Sequence, residues 1–273
     1  MLQIAGQEPR PNDKYHAFAA RYLHGSSLEG IVSAKQLHEK LICLNTGTVN
    51  GQFYFIIDVA TNAIIHCNGV DRWLGYNCSG FTVTKYQNLI HPAHAVINGY
   101  YSVAMWGQLT GGNFLPIQFM RPMCITSLAL KNNFGNYLLL RRLCSPWQID
   151  KDGRLIQYIN LFTIIKPFAN ECFFTKADFQ FHEPGVVEKA VQDSVKKQFE
   201  GDRYFTPQEI RLLKKYLSEQ ASTSSRVATK LGLAKSTVSV YNKRIMYKAT
   251  RFFWREFYSA KDVAKFINKC GLI

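Results

Sequence analysis

The stretch Lys235-Ser-Thr-Val-Ser-Val-Tyr-Asn-Lys243 carries two ammonium groups, three aliphatic hydroxyls and one carboxamide. Val238, Tyr241 and Ile245 recur there at three- and four-residue spacing, which predicts a helix from about Lys235 to Tyr247 with those three turned inward. Lys235, Ser236, Ser239, Asn242 and Lys243 are then left on the outer face. Such a short, basic, amide-bearing face suits the major groove of duplex DNA. A lysine donates to guanine or phosphate, and an asparagine pairs with adenine through two hydrogen bonds. Any solvated helix also presents a charged face, so the surrounding chain has to decide between the two readings.

Charge favours the first. The 273 residues hold 33 Lys and Arg against 19 Asp and Glu, a net charge of +14. From Gly201 onward there are 15 basic and 5 acidic residues, so about +10 of that excess sits in the last quarter of the chain. A nearly neutral domain joined to a strongly basic one is the electrostatic footprint of a polyanion-binding module.

Other chemistry is poorly supported. No nucleophile elbow, P-loop, H-E-x-x-H or paired-carboxylate motif occurs, so an enzyme working in a sheet concavity is the weaker alternative and no catalytic residue is assigned. An aspartate-rich phosphoacceptor site is also missing. His66, His91 and His94 invite a haem or metal reading, but among seven histidines ordinary packing or exposure is the default; no cofactor and no metal are expected. The seven cysteines contain no C-x-x-C pair and suggest neither a zinc site nor a disulfide framework. Cys67, Cys78, Cys124 and Cys144 read as small core residues. With no signal-peptide pattern and no apolar run of about 18 residues, a soluble protein of a reducing cytoplasm without a membrane partner is expected.

The elements around these residues fall into two groups. Residues 13 to 44 have roughly helical apolar spacing, read as one or two amphipathic helices. Phe53–Ile57 and Ala63–Cys67 are β-rich runs joined by Asp58-Val-Ala-Thr-Asn62, a hairpin, and helical and loop segments follow from about Val70 to Leu109. Three strand candidates come next: Met123–Leu130, Tyr137–Ile149 and Leu155–Ile165. Lys131-Asn-Asn-Phe-Gly135 and Asp150-Lys-Asp-Gly153 supply the turns of an antiparallel meander. Pro167 ends it before a polar, helix-prone stretch reaching Gln198.

Together with Trp73-Leu-Gly-Tyr76, Leu89-Ile-His-Pro92 and Asp150-Lys-Asp-Gly153, this order resembles a PAS domain over residues 52 to 166. The resemblance implies a five-stranded antiparallel sheet with short helices across one face. It also implies a sensory or dimerising role, with room for a small-molecule ligand.

Thr206-Pro-Gln-Glu209 combines a threonine N-cap, a proline at the first helical position and a glutamate that can reach back to the cap. Ile210, Leu213 and Leu217 give the helix it opens an apolar stripe, and Val227, Ala228 and Leu231 mark a second short helix closed by Gly232-Leu233. The 235–247 helix follows, then Ser259-Ala-Lys-Asp262 caps a last helix that stops at Gly271.

Residues 205 to 273 therefore resemble the four-helix LuxR/GerE-type helix-turn-helix domain. Thr206-Pro207, Glu209, Val227-Ala228, Leu231-Gly-Leu233, Thr237-Val238, Ile245, Lys248 and Gly271-Leu-Ile273 carry the likeness. It departs at Ala234, where a serine cap is common, and at Tyr241, where histidine is frequent. The likeness implies that Thr237 contacts phosphate and that Lys235, Ser236, Ser239, Asn242 and Lys243 read bases. The expected organisation is an α+β chain: an N-terminal helical segment 1–51, a PAS-like domain 52–166, a helical linker 167–204 and a helix-turn-helix domain 205–273. The expected function is a transcription regulator acting as a homodimer on double-stranded DNA, with RNA polymerase as a further candidate partner. A sigma-like promoter-recognition protein is the alternative. Thr250-Arg-Phe-Phe-Trp-Arg-Glu-Phe-Tyr258 is an aromatic extension with two open readings, a dimer interface or burial within one subunit.

Overall fold

In the computed structural model, residues 29–47, 50–110, 118–177, 186–218 and 223–273 are described. The part of the expected N-terminal helical region before residue 29 lies outside them. Within the region, α1 runs from Ala34 to Gly47.

β1 (Gln52–Asp58) and β2 (Ala63–Asn68) form the expected hairpin, closed at Asn62 with φ 52°. β3 (Cys124–Lys131), β4 (Tyr137–Ile149) and β5 (Leu155–Pro167) form the antiparallel meander, and β5 also pairs antiparallel with β1. The Asp150 turn is held by its own side chain, since Oδ1 accepts from the backbone N–H of Asp152 at 2.9 Å and of Arg154 at 2.7 Å. Between β2 and β3 the chain makes α2 (Val70–Leu74), a single 3-10 turn at Cys78–Gly80, α3 (Val83–Leu89) and α4 (Pro92–Thr110).

The strand order is β2-β1-β5-β4-β3-β6. The sixth strand, β6 (Phe174–Ala177), lies in the stretch read from sequence as helix-prone, and α5 (Val186–Gly201) follows later. β6 has only four residues. Its order comes from the free edge of β3, a nonlocal partner that local spacing does not reveal.

β1 explains why its sequence is a continuous apolar run and not an alternating one. Phe53 and Phe55 meet Phe162 of β5 on one face, at 4.7 and 5.2 Å between ring centroids, and Tyr86 of α3 closes on both Phe55 and Phe162. Tyr54 and Ile56 point the other way, into a cluster with Trp147 and Ile159 against which Leu37, Leu41 and Leu44 of α1 pack. With both faces covered, every position from Phe53 to Ile57 is buried. α1 is also tethered by polar contacts: Asn45 Oδ1 accepts from the Tyr54 hydroxyl and from Asn68 Nδ2, both at 2.6 Å.

The chain divides into two compact units that are not contiguous in sequence. The sheet and its helices make one; the described residues of 92–104, 170–174 and 189–273 make the other. In the second, the first half of α4 is bound to later segments. The Tyr100 hydroxyl donates to Asp202 Oδ2 at 2.6 Å, and the Tyr101 hydroxyl donates to the Cys270 carbonyl at 3.2 Å. Four more helices complete that unit: α6 (Pro207–Leu217), α7 (Ser224–Leu231), α8 (Lys235–Phe253) and α9 (Ala260–Lys269).

Candidate nucleic-acid interface

α6 begins on the capping box read from sequence. Thr206 Oγ1 accepts from the Glu209 N–H at 3.3 Å, and Glu209 Oε2 accepts from the Thr206 N–H at 2.7 Å. Glu209 is wholly buried, and its Oε2 also meets Lys248 Nζ of α8 at 2.7 Å, so one carboxylate both starts α6 and clamps it to α8. α7 starts at Thr223, whose side chain accepts from the Arg226 N–H, and ends at Gly232 with φ 64°. That left-handed residue makes the tight turn into α8, a conformation that a β-carbon would strain.

Val238, Ile245, Ala249 and Phe253 are fully buried and form the inner seam of α8. The opposite stripe is open: Lys235, Ser236, Thr237, Ser239 and Lys243 are exposed, as expected, and so are Val240, Arg244, Tyr247 and Arg251. The last four were not picked out from sequence, yet the signal was there. Ser236, Val240, Lys243 and Tyr247 follow one another at helical spacing on the side away from Ile245. Arg251 Nη1 donates to the Tyr247 hydroxyl at 2.7 Å, a bond that raises the arginine pKa further. The open stripe thus adds two guanidinium groups and an apolar Val240 to the lysines and hydroxyls. At the head of α8 Ala234 makes no side-chain cap, so the first N–H groups of the helix have no capping side chain beside Lys235 and Ser236.

Asn242 corrects the sequence reading. It is half-buried, its Oδ1 accepts from the Tyr216 hydroxyl of α6 at 3.0 Å, and its Nδ2 donates to Ser224 Oγ of α7 at 3.1 Å. The carboxamide uses one lone pair and one N–H to join three helices. Its angular position, at the edge of the inner seam, put it within reach of partners that spacing alone cannot name. Asn242→Ala is therefore expected to destabilise the helical unit by about 1–2 kcal/mol, the cost of leaving partly buried hydroxyls unpaired. Tyr216→Phe should cost a similar amount, and the double variant less than the sum. Thermal melts of the full chain check this; an unchanged midpoint with a changed base preference in bound DNA would return Asn242 to the reading face.

The aromatic extension is divided. α8 runs on to Phe253, whose ring packs at 4.8 Å from Phe252 and 4.9 Å from Phe266 of α9. Phe257 also meets Phe266, at 5.5 Å. Trp254 and Tyr258 remain 64% and 91% exposed. Phe253 is fully buried within one subunit, and Phe252 and Phe257 are half-buried against it.

The histidines have separate engagements. His66 Nε2 lies 3.1 Å from the Tyr54 hydroxyl, His91 packs between the rings of Tyr137 and Phe168, and His94 Nε2 donates to the Glu171 carbonyl at 2.9 Å. Burial lowers the pKa of His66 and His91 and favours their neutral forms. Among the described residues no three His, Cys, Asp or Glu side chains converge as a metal site. No described helix is long and apolar enough to cross a membrane. Cys124 and Cys144 are buried as expected, whereas Cys67 and Cys78 are only half-buried.

No protein-family model matches this sequence, and no curated protein does. Solved structures with some likeness include the N-terminal domain of a diguanylate cyclase with a PAS/PAC sensor from Marinobacter aquaeolei. It is 15% identical, with 42% of this chain and 95% of that one covered and a TM-score of 0.33. The VqmA dimer of Vibrio cholerae, described among LuxR-type receptors, is 12% identical over 86% of this chain and 92% of its own, with a TM-score of 0.33. SdiA of Escherichia coli is 10% identical over 96% and 98%, with a TM-score of 0.28.

Proposed function

We propose that this chain is a sequence-specific, DNA-binding transcription regulator of the LuxR/GerE type. In this reading α7 and α8 are the helix-turn-helix, and residues 205–273 are its DNA-binding domain. The observation that carries the proposal is the two-sidedness of α8. A fully buried Val238–Ile245–Ala249 seam holds the helix, while Lys235, Ser236, Thr237, Ser239, Val240, Lys243 and Arg244 lie open on the rest of it. Lysine and arginine supply phosphate and guanine contacts, and Val240 offers an apolar surface to a thymine methyl. Residues 52–166 then act as a PAS-like sensory or dimerising domain, with a small molecule as the candidate signal. Two copies on half-sites one helical turn apart would add their contacts by symmetry.

Selection from random duplexes with the full chain is the direct test, and one enriched sequence is the expected result. Neutralising about four phosphates predicts roughly a hundredfold loss of affinity between 50 and 200 mM salt. Lys243→Ala combined with Arg244→Ala should weaken binding about tenfold or more and flatten that salt dependence. Binding unaffected by these substitutions, in a chain that melts normally, would remove α8 from the interface.

A further inference from the structure

Cys67 and Cys78 stand apart from the DNA-binding reading. Cys67 lies in β2, at the outer edge of the sheet, and Cys78 opens the 3-10 turn that packs against that strand. Their sulfurs are 3.0 Å apart. That is inside ordinary contact distance and about 1 Å beyond a formed disulfide bond. The approach is built by the backbone. Gly75, with φ 75°, turns the chain back after α2, at a point where a β-carbon would run into the Asn133 side chain. Asn77 then fixes the turn, its Oδ1 accepting from the Ser79 N–H and hydroxyl, both at 2.9 Å. Both cysteines are half-buried and within reach of a small reagent, unlike the buried Cys124 and Cys144.

We propose that Cys67 and Cys78 form a dithiol site that small disulfides, of the glutathione class, oxidise to an intramolecular disulfide. Cys78, as its thiolate, attacks one sulfur of the small disulfide; that S–S bond breaks and one small thiol leaves with a proton. Cys67 loses its proton to water and attacks the Cys78 sulfur, expelling the second small thiol. Two protein thiols are oxidised and one small disulfide is reduced to two thiols. Burial, with Cys78 and Asp71 close by, holds Cys67 in its protonated form, which makes it the resolving partner in this order. The bond would staple the edge strand β2 to the segment leading into α3. In a reducing compartment the pair stays reduced until the disulfide pool rises.

The test uses the purified full chain, reduced and then exposed to oxidised glutathione, with remaining thiols alkylated before trypsin digestion. The expected product joins peptide 41–72 to peptide 73–85, separates on reduction, and has fragment ions placing the link at Cys67 and not Cys43. It should be lost in Cys67→Ser and Cys78→Ser and kept in Cys43→Ser. The oxidised wild type should also melt at a higher temperature than the reduced form, with dithiothreitol reversing the change. Alkylated Cys67 and Cys78 in the treated wild type, or stable glutathione adducts on either without the cross-link, would overturn the proposal. So would a link to any other cysteine in its place. None of these outcomes depends on whether the chain binds DNA.

Discussion

Phe162→Ala is expected to destabilise the sheet by about 4 kcal/mol, within the range for removing a fully buried phenylalanine. Its ring is 0% exposed and nearly parallel to Phe53, with 9° between planes at 4.7 Å; Phe55 and Tyr86 approach from two further sides. The cavity cannot be filled by a small shift, because its walls belong to β1, β5 and α3 and the ladder pins Phe53 directly opposite Phe162. Phe162→Leu keeps much of the volume and should cost less than half as much. Because the chain has two compact units, hydrogen exchange at β1 and β5 amides reports the sheet unit by itself. A loss below about 1 kcal/mol for Phe162→Ala would mean that these rings are not the packed centre of the sheet domain.

Lys248→Met should have a comparable effect on the helical unit, a loss of about 3 kcal/mol, because it strands a buried carboxylate. Glu209 is 0% exposed; Oε2 is held by Lys248 Nζ and the Thr206 N–H, each at 2.7 Å, and Oε1 is buried with no hydrogen-bond partner. The pair does not add stability through the charges alone, since both ions were better solvated in water; the penalty comes from separating them once folded. Adding Glu209→Gln to Lys248→Met should therefore restore stability. An amide oxygen can still accept from Thr206, and no charge is left behind. Exchange at α6 and α8 amides would report both steps. A double variant as unstable as Lys248→Met would show that the ammonium group matters by packing, over Phe205 at 5.9 Å, and not by charge.

Much of the architecture was legible because its signals are local. Thr206-Pro-Gln-Glu209 and Ser259-Ala-Lys-Asp262 announce helix starts, and both caps are formed. The turns at Asn62, Gly135 and Gly153 fall at positive φ where Asn and Gly were placed for them. The exposed side of α8 follows from Val238 and Ile245 by periodicity, which also reaches Val240 and Tyr247 once the helix is extended past Tyr247 to Phe253. What escaped were outcomes of partners distant in sequence. β6 is a strand next to β3; Asn242 serves Tyr216 and Ser224; Cys67 meets Cys78 only after the chain has turned through α2.

The sequence by itself determined where α6 and α9 begin, which side of α8 is apolar, and that the basic excess gathers after residue 200, because caps, periodicity and charge each act within a few residues. Only the tertiary structure decided that Phe253 is buried and ringed by Phe252, Phe257 and Phe266 while Trp254 and Tyr258 stay open, and that Pro92–Ala104 of α4 and residues 170–174 join the C-terminal unit. It likewise decided that an asparagine suited to adenine is already bonded to its own fold. Burial and hydrogen-bond satisfaction are properties of whichever surfaces meet, and one-dimensional spacing states what a residue can offer without stating what will be there to accept it.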